Sequence, residues 1–242
     1  MKRLIYLLPV AALIVNSCKK EGCNEPYAFN YDPAGTSDKN CIYEPLSLTI
    51  DFKLMNGEDE LVVGEEFFTE DNRSVMVDYF GMYFTEMSLV DDGDTVMLED
   101  DAFLLLDSNR TYHTTYYPKG NLSAITFNLG VNQERNDTLD PTTLTEGVFS
   151  PQVPTMYWSW ASGYRFLSIN GLVDTTEAIS GTNRAAFEYH TGLNQLLRTV
   201  RLEGSPTRTG NDISYTITID VNKIFEGVDF TDANDIVTHT SD

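Results

Sequence analysis

The sequence predicts an all-β protein whose main domain is an antiparallel, immunoglobulin-like β-sandwich. Apolar residues alternate with polar ones in many short stretches, turn-forming residues separate these stretches, and helical periodicity is almost absent. Eight or more strands with so little helix are typical of two packed sheets. With 41% hydrophobic and 12% aromatic residues among 242, the chain can bury a substantial core.

The first strands follow from the pattern in chain order. Residues 46–54 alternate between apolar and polar and end at the turn signal Asn56-Gly57. Residues 75–90 are rich in β-forming residues but too long for one flat strand, so we expect an interruption at Gly81. Residues 91–94, Asp-Asp-Gly-Asp, predict a hairpin turn into the next strand.

The second half of the chain continues the pattern with one long interruption. Further strands are predicted at residues 125–129, 156–160, 164–172, 200–202 and 213–219. Residues 131–152 are polar and form a long loop of the kind that carries function or covers the end of a sheet. Only residues 221–226 have the pattern of a short helical turn.

The first eighteen residues predict export as a lipoprotein. Lys2 and Arg3 precede an apolar run of signal-peptide length, at residues 4–15, which is too short to span a bilayer. The run ends in Val-Asn-Ser-Cys, which resembles a bacterial lipoprotein cleavage box, so we expect removal of residues 1–17 and lipidation of Cys18. Two or more acyl chains make a lasting anchor. The expected location is the cell envelope of a Gram-negative-type bacterium, on either face of the outer membrane. The alternative is an ordinary secretory signal with Cys18 inside a core.

The three cysteines support this interpretation. If Cys18 carries lipid, Cys23 and Cys41 remain as a natural disulfide pair in an oxidising compartment. The loop between them is rich in turn formers and resembles short cysteine-bounded modules of secreted bacterial chains. Clustered oxygens in this module could hold Ca²⁺, which takes six to eight oxygen ligands; they belong to Asn24, Asp32 and Asp38. The alternative is a plain stapled spacer.

The chain thus divides into a signal peptide, a tether and a main domain. The expected boundaries are 1–17, 18–45 and 46–242. With 16 basic and 37 acidic residues, the formal charge is −21, which repels nucleic acid and attracts cations, although solubility alone would also explain it. Nucleophile elbows, phosphate-binding loops, His-Glu-x-x-His and Cys-x-x-Cys are all missing from the sequence, so we do not expect an enzyme. A glycosidase pair of carboxylates is the remaining enzymatic alternative.

The most informative stretch contains both tryptophans of the chain, Trp158 and Trp160. Side chains at positions i and i+2 of a strand project to the same face, so the two indoles should stand side by side. Judged by periodicity alone, such a pair fills a core or covers a sheet.

A family resemblance gives this stretch a second interpretation. The pattern Met-x-Trp-x-Trp-x-x-Gly-Tyr at residues 156–164 resembles the hallmark of the MbnP-like copper-binding domain. Other segments that resemble the family fall in the expected order at residues 77–83, 127–132, 187–192 and 219–225. The resemblance covers Pro45 to the C-terminus. The family's chains generally run on past a late histidine into another strand, whereas this chain stops at Asp242, so a C-terminally truncated domain is one interpretation.

The resemblance implies a copper site. Relatives are secreted β-sandwich proteins, several of them associated with a di-haem peroxidase-like (MbnH-like) protein that oxidises a tryptophan to kynurenine, whose nitrogen binds copper together with imidazoles. The implied copper ligands are His190 and then His239, and Trp158 or Trp160 is the oxidisable residue. His113 is a weaker candidate. Imidazole suits copper and a nearby thioether favours Cu(I), whereas indole is a poor ligand until its ring is opened.

These inferences predict a lipid-anchored protein of copper uptake or handling. The competing interpretation is a surface β-sandwich that binds glycan or protein through exposed aromatic side chains, without metal. A copper site needs one or two histidines near the tryptophans, whereas a glycan binder needs none. Each histidine could instead be a surface or structural imidazole.

Overall fold

The computed structural model of the protein describes residues 22–35, 39–69, 71–158, 163–177 and 183–238. The predicted signal peptide, Cys18, Trp160 and His239 lie outside the described residues. The chain divides between Glu44 and Pro45 into two compact units. In the described ranges, no helix is long and apolar enough to cross a bilayer.

The N-terminal unit is a small loop module closed by a disulfide. Cys23 and Cys41 are joined with an S–S distance of 2.07 Å, which confirms the predicted pair. Cys23 and Ala28 are its buried apolar side chains. The amide of Phe29 donates to the carbonyl of Ile42 at 2.7 Å and holds the two halves of the loop together. Because so few side chains are buried, the crosslink should be the main stabilising feature, worth about 3 kcal/mol in the chain-entropy model.

The Ca²⁺ site expected in this module stays a prediction. The carboxylate of Asp32 accepts a hydrogen bond from the amide of Ala34 at 2.9 Å, which is an ordinary turn interaction. Asn24 is exposed, and Asp38 lies outside the described residues.

The C-terminal unit consists of strands with two short α-helices. In the described residues its strands are β1 (Leu46–Asn56), β2 (Asp59–Glu60), β3 (Glu66–Phe68), β4 (Ser74–Asp91), β5 (Asp94–Met97), β6 (Phe103–Leu106), β7 (Thr111–Tyr116), β8 (Leu122–Leu129), β9 (Tyr157–Trp158), β10 (Gly163–Asp174), β11 (Arg184–Gly192), β12 (Arg198–Glu203), β13 (Thr207–Thr209), β14 (Asp212–Asp220) and β15 (Val237–Thr238). The helices are α1 (Gln133–Thr138) and α2 (Val221–Ile224), with 3₁₀ turns at Pro141–Thr143 and Asn194–Leu196.

The strands form two sheets packed face to face, which confirms the predicted sandwich. The smaller sheet has the order β13-β14-β1-β2, with β7 also pairing with β1. The larger has the order β12-β8-β4-β10-β11-β15, with β3, β5, β6 and β9 attached to it. Two pairs, β1 with β14 and β11 with β15, are parallel rather than antiparallel. The two-residue alternation is the same in both arrangements, so the sequence does not distinguish them.

Strand β4 does not break at Gly81, contrary to the expectation from its length. It continues through this residue and is accommodated by irregular pairing on either side. Against β10 the register shifts at Asn170/Gly171, where β4 contributes Asp78 as an extra residue. Against β8 it shifts around Glu86, which has a φ of +51°. Such bulges bend a strand locally and let one long strand serve a twisted sheet.

The core between the sheets is built from the alternation that the sequence displays. Leu48, Ile50 and Phe52 on β1 are buried against residues of the larger sheet, such as Phe80 and Ile169. A second apolar cluster contains Tyr83, Leu104, Val131, Met156, Tyr164 and Phe166. Since Tyr83 projects from β4 on the side opposite the neighbouring core residues, this second cluster lies on the outer face of the larger sheet. That face carries the candidate site.

Candidate metal centre

Three adjacent strands, β4, β10 and β11, form the base of the candidate site. Gly81, Ser168 and His190 stand directly opposite one another across these strands and form one row. Their neighbours Phe80, Ile169 and Tyr189 belong to the core, so the row faces the outer side of the sheet. The adjacent row on the same face is formed by Tyr79, Asn170 and Glu188.

His190 is the buried imidazole of this face, with 4% of its surface exposed. Its Nε2 is 2.8 Å from Oδ1 of Asn170. An amide oxygen can only accept, so Nε2 donates this hydrogen bond, and Nδ1 is the ring nitrogen that would bind a metal. Metal-binding histidines commonly donate their second ring N–H in this way, which fixes the tautomer and the ring orientation.

Met156 brings a thioether to the other end of the row. A Cβ on Gly81 would lie 2.9 Å from Sδ of Met156 and 2.8 Å from Oη of Tyr79, so both side chains occupy the space that this glycine leaves open. Met156 is 1% exposed. The thioether of Met156 and the imidazole of His190 therefore lie over one row of residues. Only Ser168, which has a small side chain, lies between Gly81 and His190 in this row.

Trp158 lies beside His190 on the same face. It is 2% exposed and pairs with Gly163 in the short hairpin of β9 and β10. A Cβ on Gly192 would lie only 2.5 Å from Cζ3 of Trp158, so the indole rests on this glycine. Gly192 follows His190 by two residues and shares its face of β11. The structure thus places Trp158, one predicted site residue, over a glycine two residues from His190, another predicted site residue.

Arg165 supplies the positive charge of the site. Its guanidinium carbon is 5.9 Å from the centroid of the Trp158 ring, a cation–π distance. Burial lowers the pKa of Arg165, while Tyr79 and Glu188 act in the opposite direction. Burial also raises the pKa of Tyr79, and Arg165 opposes this shift. At neutral pH the phenol of Tyr79 is therefore uncharged. The nitrogen and sulfur donors of the site, the imidazole of His190 and the thioether of Met156, suit a soft ion such as Cu(I) better than a hard one.

Two buried oxygens of this face also bear on whether a ligand fits. In the part of the chain that the structure describes, neither Oη of Tyr79 nor Oγ of Ser168 has a hydrogen-bond partner. Buried polar atoms are nearly always satisfied, and exceptions commonly mark bound water, ions or functional sites. Both oxygens lie in the rows that hold His190 and Asn170, so they are consistent with a small ligand at this position.

The polar loop expected at residues 131–152 covers the site. Helix α1 carries Asn136, whose Oδ1 accepts from the amide of Tyr164 at 2.8 Å and whose Nδ2 donates to Asn194 at 2.9 Å. Later in the same loop, Phe149 stacks on Tyr83 with ring centroids 5.6 Å apart. A cavity of about 230 Å³ between the loop and the sheet is lined by Tyr83, Tyr164 and Met156, among others. The loop therefore shields the thioether while leaving a small space against it.

The remaining predicted site residues are not brought to this face. His113 lies on β7 of the smaller sheet, where it is exposed and its Nδ1 is 3.0 Å from Oγ1 of Thr49. Among the described residues, no group of three histidine, cysteine or acidic side chains converges as a metal cluster would. The described residues therefore fit copper in part: they offer one imidazole and one thioether beside an indole. Trp160 and His239 lie outside the described residues.

Sequence reasoning missed Asn170 as the partner of His190 and Ser168 as the floor of the site. Asn170 stood out only as part of an Asn-Gly break. The useful signal was the row itself: once β4, β10 and β11 are paired, Gly81, Ser168 and His190 share a face. Met156 was noted within the tryptophan pattern, but nothing in the sequence placed it over Gly81.

Comparison with known proteins agrees with this architecture. Residues 45–240 match the model of the MbnP family. No curated protein sequence matches the chain. The solved structure of MbnP from Methylosinus trichosporium has a similar fold, with a TM-score of 0.51 and 13% sequence identity over 78% of this chain and 80% of that chain. At this identity the likeness shows the fold alone, whereas the family model spans most of the chain. The chain belongs to the MbnP family.

Proposed function

We propose that this protein is an exported, lipid-anchored copper-binding protein that acts in copper uptake or handling, and that it binds rather than catalyses. The observation that carries the proposal is the buried imidazole of His190, oriented by Asn170 and placed beside Trp158. A structural histidine would need no thioether at the other end of its row. Met156 in that position favours a site for a soft ion.

The ligand set would combine groups from both sides of the row. His190 would bind through Nδ1, and Met156 would supply a soft donor. The family resemblance adds His239 and an aromatic amine derived from Trp158 or Trp160. Copper in such a set would be held by nitrogen and sulfur donors, which favour the Cu(I) state.

The aromatic amine would come from oxidation of one tryptophan by a di-haem peroxidase-like partner. Oxidation breaks the C2–C3 bond of the indole and leaves one oxygen atom on each of the two carbons. Hydrolysis of the resulting formamide by water then releases formate and leaves kynurenine. This is a four-electron oxidation, so the partner must deliver one O₂ or two equivalents of peroxide, activated at its haems, because no described side chain of the site is an oxidant.

The competing function, a sandwich that binds glycan through aromatic side chains, requires exposed rings. Trp158 is almost fully buried and packs on Gly192, so it does not offer a stacking surface to a sugar. Exposed aromatic rings occur elsewhere among the described residues, for example Tyr117 on the sandwich, so binding of glycan or protein remains as an outcome of the test.

Metal analysis of protein matured beside its partner tests the proposal. We expect about one copper per chain, consistent with one row of ligands. His190→Ala should abolish binding, and Asn170→Ala should weaken affinity by about 10–100-fold because the ring loses its orienting partner. His113→Ala is the matched control and should bind copper normally. Peptide mass spectrometry across residues 156–165 should show one tryptophan converted to kynurenine. Intact tryptophans together with normal copper content in His190→Ala would refute the site.

Fractionation tests the anchor independently. Cys18→Ser should move the protein from the membrane fraction into the soluble envelope fraction, because a cysteine thiol is required for lipidation. A variant that remains in the membrane fraction, processed as the parent is, would contradict the lipoprotein assignment while leaving the copper site untouched.

A further inference from the structure

The N-terminal unit exposes an unusual share of its apolar side chains. Phe29 is 72% exposed, Ile42 58%, Tyr27 48% and Tyr31 45%, whereas the apolar side chains buried in this unit are Cys23 and Ala28. A soluble spacer of this size would be expected to carry polar residues at such positions. Clusters of exposed apolar residues commonly mark an interaction surface.

The backbone places these four residues close together in the loop. The hydrogen bond from the amide of Phe29 to the carbonyl of Ile42 sets these two residues side by side. Tyr27 and Tyr31 flank Phe29 within one compact turn, in which the amide of Tyr31 donates to the carbonyl of Ala28 at 3.1 Å. The disulfide between Cys23 and Cys41 closes the same loop. We call these four residues, Tyr27, Phe29, Tyr31 and Ile42, the aromatic face.

We propose that the aromatic face docks on the lipid bilayer, in the headgroup region. The inference rests on the proposed lipid anchor at Cys18, because Cys23 follows Cys18 by only five positions. A chain of that length spans at most about 18 Å when fully extended. The module therefore lies within roughly half a bilayer thickness of the acylated residue. Tyrosine, with an apolar ring and a polar hydroxyl, is enriched at this interface in membrane proteins.

Charge identifies which part of the protein approaches the membrane. Residues 19–44 contain three basic and five acidic residues, so most of the 37 acidic residues belong to the sandwich domain. Anionic lipid repels a strongly acidic domain but acts only weakly on a nearly balanced module. Docking by the aromatic face should therefore depend on apolar contact and be strongest on zwitterionic lipid.

Hydroxyl-radical footprinting of the full, lipidated chain tests the proposal. The chain is compared in phosphatidylcholine vesicles and in detergent-free solution as the Cys18→Ser variant. We expect oxidation of Tyr27, Phe29 and Tyr31 to fall several-fold on vesicles. Tyr117 is the internal control, since it is 54% exposed on the sandwich domain and its labelling should not change. Vesicles that contain phosphatidylglycerol should give the same or weaker protection.

The outcomes separate docking from anchoring. A chain that floats with the vesicles but whose aromatic face is labelled as in solution would overturn docking and leave the anchor standing. A chain that does not float refutes the anchor and the docking with it. Protection that is already present in the Cys18→Ser variant in solution would mean that protein covers the face, and this result also overturns the proposal. A Phe29→Ser/Ile42→Ser variant should still float yet lose the protection of Tyr27 and Tyr31.

Discussion

Replacement of Gly192 by alanine should displace Trp158, and this substitution directly tests the packing of the indole on Gly192. The new Cβ would lie 2.5 Å from Cζ3 and 3.1 Å from Cη2 of Trp158, and 2.6 Å from the carbonyl oxygen of Tyr164. Carbon atoms in contact prefer separations of about 3.5–4.0 Å. The indole must therefore move by about 1 Å or more, because the carbonyl belongs to the β9–β10 hairpin and cannot yield easily.

The cost can be bounded from packing. Overfilling a well-packed site typically costs about 1–3 kcal/mol. If the ring left its seat altogether, a tryptophan could lose up to about 200 Å² of buried surface, or roughly 5 kcal/mol at 25 cal/mol per Å². We expect a decrease of at least 2 kcal/mol in the free energy of unfolding, because a backbone atom as well as the ring obstructs the methyl group.

Urea unfolding followed by tryptophan emission measures both the energy and the displacement. Gly163→Ala is the matched control: it lies opposite Trp158 in the same hairpin, but its nearest obstacle is Oδ1 of Asn136 at 3.3 Å, which can shift slightly. Gly192→Ala should be the less stable variant and should show red-shifted emission in the folded state. Equal stability and unchanged emission in the two variants would mean that Trp158 does not rest on Gly192.

Three further predictions concern the surroundings of the site. Leu193 is 42% exposed and has φ +74° and ψ 140°, a backbone region that strongly favours glycine. Leu193→Gly should therefore raise the free energy of unfolding by about 1 kcal/mol in chemical denaturation. A decrease in this free energy would show that the backbone at Leu193 is unstrained. Asn136→Ala should lower the free energy of unfolding by about 2–3 kcal/mol, because it leaves the buried amide of Tyr164 without its acceptor. Hydrogen exchange at the amide of Tyr164 should accelerate, and unchanged protection would contradict the role of this hydrogen bond. Burial raises the pKa of Tyr112 and of Tyr164 to about 12, above the usual value of 10. The contribution of these two neutral phenols to the free energy of unfolding is therefore complete below pH 10 and is lost as the pH rises through 12. The free energy of unfolding, measured by chemical denaturation, should fall between pH 10 and 12 by up to about 1.4 kcal/mol per pH unit for each tyrosine, and a flat profile would refute the shift.

The sequence predicted many of the strands that bury one face, although β7 and β11 were not among the predicted strands. The alternation of residues 46–54 matches β1, and the Asp-Asp-Gly-Asp turn appears with φ of +51° at Asp92 and +93° at Gly93. A strand that is buried on both faces gives no such alternation. This is the reason the continuity of β4 was missed, since its outer face at Gly81 and Tyr83 is covered by the loop and is as apolar as its inner face.

The candidate site could be predicted only in part, because its members come from distant strands. The tryptophan pattern and His190 were identified from local patterns and from the family resemblance. Asn170 and Ser168 have no local pattern of their own, and they join the site only through the register of β10 with β11. Register is set by the whole sheet, including the extra residue in β4, and a shift of one residue would turn both side chains into the core.

The spacing of the Met-x-Trp pattern has a physical explanation in this fold. Strand β10 starts outside the sheet, pairs there with β9, and then enters the sheet between β4 and β11. The hairpin therefore folds β9 back over the outer face, and its two same-face side chains point toward the sheet. Met156 fits over Gly81 on one neighbouring strand, and Trp158 fits over Gly192 on the other. Gly192 follows His190 by two residues on the same strand, so a single hairpin holds a thioether over β4 and an indole over β11, on the face that carries the imidazole. Gly81 makes room for the thioether and Gly192 for the indole, so both glycines are needed for the hairpin to place the two groups over the sheet.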